Sequence, residues 1–310
     1  MSSSHPTKPA AGPAPPAPGW QLWWQASRPR TLVAGAVPVL TGTWLAWRLD
    51  HVFSPLLLAL TLGSCLAIQM ATNFFNDAID AGKGADTERR LGPARLTAGG
   101  LVSSRAMLTA GVLMLAVAAL LALPLLWWRG WPIVAIGLPS LWFSYGYTGG
   151  PWPLAYRGLG ELFVILFFGL VAVAGSQFVM SGHWSVEGPV AGLQLGFLSA
   201  VLIAINNLRD IDEDRASGKR TLAARHGPAF GRALIGALLL APTLTGLWWI
   251  TAGHPAAALL PLLILPLSLG LWRGVLRHPP GTIYNRFLGL SALHLLGFAL
   301  LWGIGLTWTT

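Results

Sequence analysis

Apolar residues in this chain gather into long runs separated by short polar segments, with no alternation of period two. Nine runs come close to or reach the length of about 20 residues that a helix needs to cross a bilayer: 31–48, 55–76, 104–124, 128–146, 159–180, 189–208, 232–251, 256–273 and 287–307. Continuous apolarity without alternation argues for helices and against the strands of a membrane barrel. Residues 1–18, "MSSSHPTKPAAGPAPPAP", are rich in Ser, Pro and Ala and predict a disordered tail. They lack the apolar core of a signal peptide, so no cleavage is expected. Trp20, Trp23 and Trp24 come next, in the manner of an amphipathic segment lying in the membrane interface. Residues 19–310 are therefore expected to form a single transmembrane domain, an all-α bundle of about nine spanning helices.

Composition narrows this further. Hydrophobic residues make up 54% of the 310 and charged residues 10%, with a mean hydropathy of +0.60. A soluble domain carries about a quarter charged residues, so a soluble globular class is excluded. The formal net charge of +9 would suggest nucleic acid in a soluble protein. Here sidedness explains it. With the N-terminus in the cytoplasm, nine spans put every Lys and Arg but Arg48 and Arg129 on the inside, as the positive-inside rule demands. The C-terminus then lies outside. The expected setting is a bacterial inner membrane, with the lipid bilayer as a partner and no nucleic acid; nothing in the sequence sets the oligomeric state. One cysteine, Cys65, excludes an intramolecular disulfide.

The acidic residues are the departure from this pattern. Eight of the 11 lie in two clusters, in "NFFNDAIDAGKGAD" (73–86) with Glu88, and in "NNLRDIDED" (206–214). Both fall at cytoplasmic ends of apolar runs. In each, an Asn precedes an Asp by four residues, Asn73/Asp77 and Asn206/Asp210, which hints at two related halves. Residues three or four apart share a helix face, so Asp77 pairs with Asp80 and Asp210 with Asp214. Carboxylates at a helix C-terminus oppose the helix dipole, and at membrane depth each costs about 2.5–3.5 kcal/mol. A compensating cation is needed. Lys83, Arg89, Arg90 and Arg95 follow the first cluster, and Lys219, Arg220 and Arg225 the second. A solvated, self-neutralising loop is the plainer alternative. Carboxylates interleaved with Lys and Arg fit better to a hard cation bound together with phosphate. Mg²⁺ is commonly held by one or two carboxylates plus substrate phosphates, and two facing sites would clamp a diphosphate through bridging metals. A diphosphate at the edge of an apolar bundle, with a hydrocarbon on its other end, is a polyprenyl diphosphate.

Four stretches carry a family likeness: "RPRTLVAGAVPVLTGT" (29–44), "NFFNDAIDAGKGADTERRLGPARL" (73–96), "YTGGPWPLAYRGLGELFVILFFG" (147–169) and "NNLRDIDEDRASGKRTLAARHG" (206–227). With an Asn-Asp-x-x-Asp motif and an Asp-x-x-x-Asp motif, the chain resembles the UbiA superfamily of intramembrane aromatic prenyltransferases. The third acid of the first cluster follows Asp80 as Asp86, with Gly84 where 4-hydroxybenzoate relatives carry an Asp. In this the chain resembles the branch that prenylates 1,4-dihydroxy-2-naphthoate in menaquinone synthesis. Ala78 stands where an aromatic residue is common in relatives.

The resemblance implies that Asp77, Asp80, Asp86, Asp210 and Asp214 coordinate Mg²⁺ around the diphosphate. Asp77, Asp80, Asp210 and Asp214 are the expected catalytic set. Asn73, Asn76 and Asn206 are expected to orient carboxylates or contact phosphate, with helix-end capping as the alternative for Asn76. Lys83, Arg209 and Lys219 are expected phosphate contacts, whereas Asp212 and Glu213 lie off the acidic face and are expected to be solvated. Tyr145, Tyr147 and Phe143, at the cytoplasmic end of the fourth run, are placed to stabilise an allylic cation through their rings. The implied partners are polyprenyl diphosphate and 1,4-dihydroxy-2-naphthoate, joined with loss of carbon dioxide. Another acceptor such as 4-hydroxybenzoate, or phytyl transfer, is the alternative within the family. Outside it, a cation-coupled transporter would place its acids near the midplane on interrupted helices, and a phosphatidyl-alcohol transferase would need a "DGxxAR" signature that is missing. No residue identifies itself as the general base. Glu161 is expected to pair with a loop arginine, and Gln69 and Gln177 to bond between helices.

Overall fold

The computed structural model describes residues 19–84, 91–92 and 95–308, apart from the side chain of Arg30. The predicted tail 1–18 and Asp86, Glu88, Arg89 and Arg90 lie outside the described residues. Within them the chain is helical, without strands. A short α1 (Gly19–Ala26) precedes α2 (Pro29–Leu49), α3 (Pro55–Gly82), α4 (Ser104–Arg129) and α5 (Trp131–Gly146). A single 3₁₀ turn, Leu154–Tyr156, leads into α6 (Gly160–Val164), a π-helical stretch Ile165–Val171, and α7 (Ala172–Ser181), which together make one span. Then come α8 (Glu187–Arg209), α9 (Ile211–Ala216), α10 (Leu222–His226) and α11 (Pro228–Gly246) with α12 (Trp248–Thr251). The last third is α13 (Pro255–Leu259), a 3₁₀ segment Leu260–Ile264, α14 (Leu265–Arg277) and α15 (Tyr284–Trp308).

All nine expected runs are helical at the expected places. Eight are long and apolar enough to cross a membrane. The other, α5, has 16 residues, about 24 Å at 1.5 Å per residue, so it falls short of a full hydrocarbon core. Local chemistry sets the boundaries. Ser54 caps α3, its hydroxyl accepting from the Leu57 amide at 3.3 Å with Pro55 in the first turn. Ser103 caps α4 in the same way at 3.2 Å. The α3 helix stops beyond Gly82, where Gly84 takes φ +67°.

The bundle closes around α8. Ala200, Val201, Ala204, Ile205 and Leu208 are all 3% exposed or less. Lipid supplies no hydrophobic drive between helices, so close packing and polar contacts must hold them. Gly169 and Gly196 let the π segment and α8 meet backbone to backbone: a Cβ built on Gly169 lies 2.6 Å from the Gly196 Cα. Gln194 of α8 donates to the Pro242 carbonyl at 2.9 Å and accepts from the Trp249 indole at 2.8 Å, joining α8 to α11 and α12. Gln69 reaches Thr31 of α2 at 3.4 Å, an interhelical bond as expected. Gln177 instead bonds Ser185, in the turn after its own helix.

The two ends of the bundle differ. At one, Arg48 donates to the Thr307 carbonyl, Arg129 to the carbonyls of Val179 and Met180, and His183 lies 3.2 Å from Asp50. At the other, α3 and α8 bring their acidic ends together.

Candidate active site

Tyr156 links the first acidic cluster to the loop that follows the second. Its hydroxyl donates to Asp80 Oδ1 at 3.0 Å. Its carbonyl accepts from the Arg220 amide at 3.2 Å, in the loop after α9. The ring centre lies 4.0 Å from Lys83 Nζ and 5.8 Å from Lys219 Nζ, so one residue joins Asp80 to the basic residues that follow both clusters. The 3₁₀ turn places it, since the Ala155 amide donates to the Tyr147 carbonyl at 2.8 Å and ties this turn to the end of α5.

The second acid of each pair, Asp80 and Asp214, faces this centre. Asp80 is 4% exposed and also meets Arg95 at 3.5 Å. Asp214, 6% exposed, accepts from the Thr221 hydroxyl at 3.2 Å, with Lys219 Nζ 3.7 Å from its other oxygen. Burial, and next the charges of Asp210 and Asp80, push the Asp214 carboxyl up to about 6, against the pull of Lys219 and Thr221. Burial likewise lowers Lys83, while Asp80 opposes the shift. Lys83 Nζ donates to the Thr148 carbonyl at 2.8 Å.

The first acids are engaged differently. Asp77 accepts from the backbone amides of Thr97 and Leu96, at 2.9 and 3.3 Å, and so pins the segment that carries Arg95. Asp210 takes both oxygens' worth of Arg209: Nε to Oδ1 and Nη2 to Oδ2, each 2.6 Å. Arg209 also donates to Asn206 and Asn285, both at 2.7 Å, and is 2% exposed. Each of its three nitrogens donates to a protein group, which makes it a brace between α8 and α15. Helix α8 breaks at Asp210 (φ −96°, ψ 17°), yet the Asp214 amide still donates to the Asp210 carbonyl at 2.8 Å. The four-residue spacing thus persists across the break.

Other expected residues fall around this centre. Asn206 accepts from Arg209. Asn76 accepts from the Thr148 hydroxyl. Asn73, 3% exposed, donates to the Ser27 carbonyl at 2.8 Å and Thr31 at 3.0 Å, fastening α3 to the start of α2. The two Asn–Asp pairs of the suspected repeat are therefore not equivalent. Asp212 is solvated, with its side chain 93% exposed. Phe143 and Tyr147 join Phe163 and Phe167 in an aromatic cluster, with ring centres 4.4–5.7 Å apart. Tyr145 is on another face, 40% exposed against Phe75. Burial, and then the charges of Glu161, Asp80 and Asp214, hold the Tyr147 phenol well above its ordinary value, with Arg28 opposing. Glu161 pairs with Asn207 at 2.9 Å rather than with an arginine. Its helix packs on α8, while Arg157 stacks over Trp152 at 3.7 Å.

Tyr156 had no signal in spacing, because it meets Asp80 across 76 residues. Neither had Asn285, which meets Arg209 across 76, nor the pairing of Asn207 with Glu161 across 46. Thr221 lies seven residues from Asp214, but a lone Thr carries no ligand pattern. Asp86 lies outside the described residues. Among the described residues, no three acidic, His or Cys groups already converge on a single metal-sized point.

Buried, paired carboxylates thus lie beside two lysines at one end of an apolar, membrane-spanning helical bundle. The chain belongs to the UbiA prenyltransferase family, whose model matches residues 35–297. It is 38% identical over 244 residues to the 1,4-dihydroxy-2-naphthoate octaprenyltransferase of Mycobacterium tuberculosis, covering 76% of this chain and 82% of that one. It is 33% identical to the Escherichia coli protein of the same name, over 83% of this chain and 86% of that one. A UbiA homologue from Archaeoglobus fulgidus, solved with GPP and Mg²⁺, shares the fold with a TM-score of 0.62 at 14% identity, over 91% of this chain and 99% of that one. The protein is an integral membrane prenyltransferase.

Proposed function

We propose that this enzyme transfers a polyprenyl group from its diphosphate to 1,4-dihydroxy-2-naphthoate, with loss of the carboxylate, to give demethylmenaquinol. The observation that carries the reading is Tyr156 bonded to Asp80 with its ring near both Lys83 and Lys219, the latter in turn against Asp214. That is an anion site with its own metal-binding carboxylates. The relatives at 33–38% identity support the naphthoate as acceptor.

The donor set fits Mg²⁺. The site offers hard oxygen ligands from Asp80 and Asp214, without thiolate or imidazole, and Mg²⁺ takes one or two carboxylates and completes its shell with phosphate and water. The like charges of Asp210 and Asp80 that raise Asp214 are those a divalent cation would relieve. Asp80 and Asp214 would hold the metal, with Asp86 and Asp210 as further ligands and Asp77 and Arg209 fixing the frame. When bound, the metal neutralises the diphosphate and makes it a better leaving group.

The chain's own residues do the rest. Lys83 and Lys219 draw the departing diphosphate toward the cytoplasmic edge and stabilise the charge that develops as the allylic C–O bond lengthens. Tyr147, Phe143, Phe163 and Phe167 line the membrane side with rings, which shield the allylic centre from water and favour its positive charge by about 0.5–2 kcal/mol per ring. The site faces the cytoplasm of a bacterial inner membrane, where a prenyl diphosphate, too polar to cross the bilayer, is available.

Purified protein in detergent or nanodiscs, given octaprenyl diphosphate, Mg²⁺ and the naphthoate, should release diphosphate and form a prenylated naphthoquinol. Asp80→Ala should lower that rate by at least 100-fold, and EDTA should stop it. Turnover of 4-hydroxybenzoate in place of the naphthoate, or a preference for phytyl diphosphate, would move the assignment to another branch of the family.

A further inference from the structure

Glu161 is a buried carboxylate that the diphosphate chemistry does not use. It is 4% exposed, near the start of the span made by α6, the π segment and α7. Oε1 accepts from Asn207 at 2.9 Å, while Oε2 is buried with no hydrogen-bond partner. An unmet buried acceptor is costly, so this oxygen calls for a water, a ligand or a reacting group.

Its position gives the orphan oxygen a use. Its partner Asn207 precedes Asp210 by one turn on α8, so Glu161, on the neighbouring α6, sits beside the acidic end of α8 on its membrane side. Tyr147 borders it on the other side: a Cβ built on Gly160, the preceding residue, lies 3.0 Å from Tyr147 Oη. Two residues on, Phe163 stacks on Phe167 at 4.4 Å and meets Tyr147 at 5.3 Å. The helix then widens into the π-turn at Ile165–Val171, a distortion often found at functional sites. Glu161 therefore sits at the junction between the diphosphate centre and the aromatic wall, where a flat phenolic acceptor must lie to reach the allylic carbon.

We propose that Glu161 is the general base, its Oε2 accepting the hydroxyl proton of the aromatic acceptor. This rests on reading the protein as a phenol-directed prenyltransferase. The allylic C–O bond breaks with its electron pair leaving on the diphosphate. The ring carbon bearing the carboxylate bonds to the allylic carbon as the neighbouring hydroxyl gives its proton to Glu161 and becomes a carbonyl. The carboxylate then leaves as carbon dioxide, its bonding pair restores the aromatic ring, and Glu161 returns the proton to oxygen. Asn207 holds the carboxyl in place through Oε1. Tyr147 is the titratable side chain facing Glu161 from α5, and its burial among Glu161, Asp80 and Asp214 keeps it protonated, which disqualifies it as the base. From α8 the neighbour is the neutral amide of Asn207.

The test compares Glu161→Gln and Glu161→Asp with the unmodified full chain, using both 1,4-dihydroxy-2-naphthoate and 4-hydroxybenzoate as acceptors. A base of this kind contributes about 10²–10⁴-fold, so Glu161→Gln should lose at least 100-fold in kcat. Its KM for prenyl diphosphate should stay within about threefold, its thermal midpoint should not fall, and Glu161→Asp should recover at least tenfold over Gln. If Glu161→Gln keeps kcat within about threefold of the unmodified protein, or if Gln and Asp lose activity equally with a lowered midpoint, the assignment of the base is overturned. Should the unmodified protein prenylate only 4-hydroxybenzoate, the naphthoate reading fails, and the same Gln-to-wild-type ratio on that acceptor still decides the role of Glu161.

Discussion

Asp214 shows how a single residue records what its site is for. Its folded-state value of about 6 stands above the ordinary 3.8, so the folded protein holds that proton more tightly than the unfolded chain. Stability from this group is full below pH 3.8 and is lost as pH rises through about 6. At neutral pH the ionised carboxylate costs at most about 3 kcal/mol. Asp214→Asn should therefore raise the thermal midpoint of the metal-free protein at pH 7.5 by a few degrees, and the gain should vanish near pH 4, while prenyl transfer is abolished. Tryptophan-fluorescence melts at the two pH values check this, and an unchanged midpoint at pH 7.5 would remove the strain. At this scale the sequence was legible in its acids and lysines, because charge at the edge of an apolar run is conspicuous. It was not legible in Tyr156, which lies 76 residues from its Asp80 partner, nor in Arg209, whose donors point inward to Asp210, Asn206 and Asn285. Tyr145 and Tyr147 are two residues apart, yet helix geometry turns them to different faces, and only packing decides which one the site receives.

Among the elements, the apolar runs located every span because length and hydropathy are local properties. Their breaks were not local. The π-turn at Ile165–Val171 and the 3₁₀ segment Leu260–Ile264 follow from how neighbours pack, and Pro261 marks only the second. The glycines of the π segment and α8 explain why close approach is needed there. A methyl group on Gly169 would press on the α8 backbone, 2.6 Å from the Gly196 Cα, and a backbone cannot step aside as a side chain can. Gly169→Ala should lower the thermal midpoint by several degrees and, by spreading α6 from α8, weaken the Glu161–Asn207 contact and with it turnover. Gly137→Ala on α5 has nothing within 4 Å and should be neutral or slightly stabilising, since alanine favours a helix by about 1 kcal/mol over glycine. Equal behaviour of the two variants would mean that the close approach carries no packing role.

For the whole molecule the charge pattern makes a claim about orientation that the fold makes testable. Arg48, Arg129, Asp50 and His183 gather at one end of the bundle, and the acidic centre with its lysines at the other. By the positive-inside rule the second end is expected in the cytoplasm. The proposed substrate argues for the same side, because a diphosphate made in the cytoplasm would reach a site on the far side only by carrying its charges through hydrocarbon. Cys65, midway along α3, donates to the Gly35 carbonyl at 3.4 Å and is the single cysteine to remove. In a Cys65→Ala background, Val186→Cys would place a thiol at an exposed position between α7 and α8, and Ala216→Cys at an exposed one at the end of α9. A membrane-impermeant maleimide applied to intact bacterial cells should modify the first, and should reach the second only after lysis. The reverse pattern would turn the protein over in the membrane and cut the site off from a cytoplasmic supply of prenyl diphosphate, a conflict that neither the aspartates nor the fold would resolve.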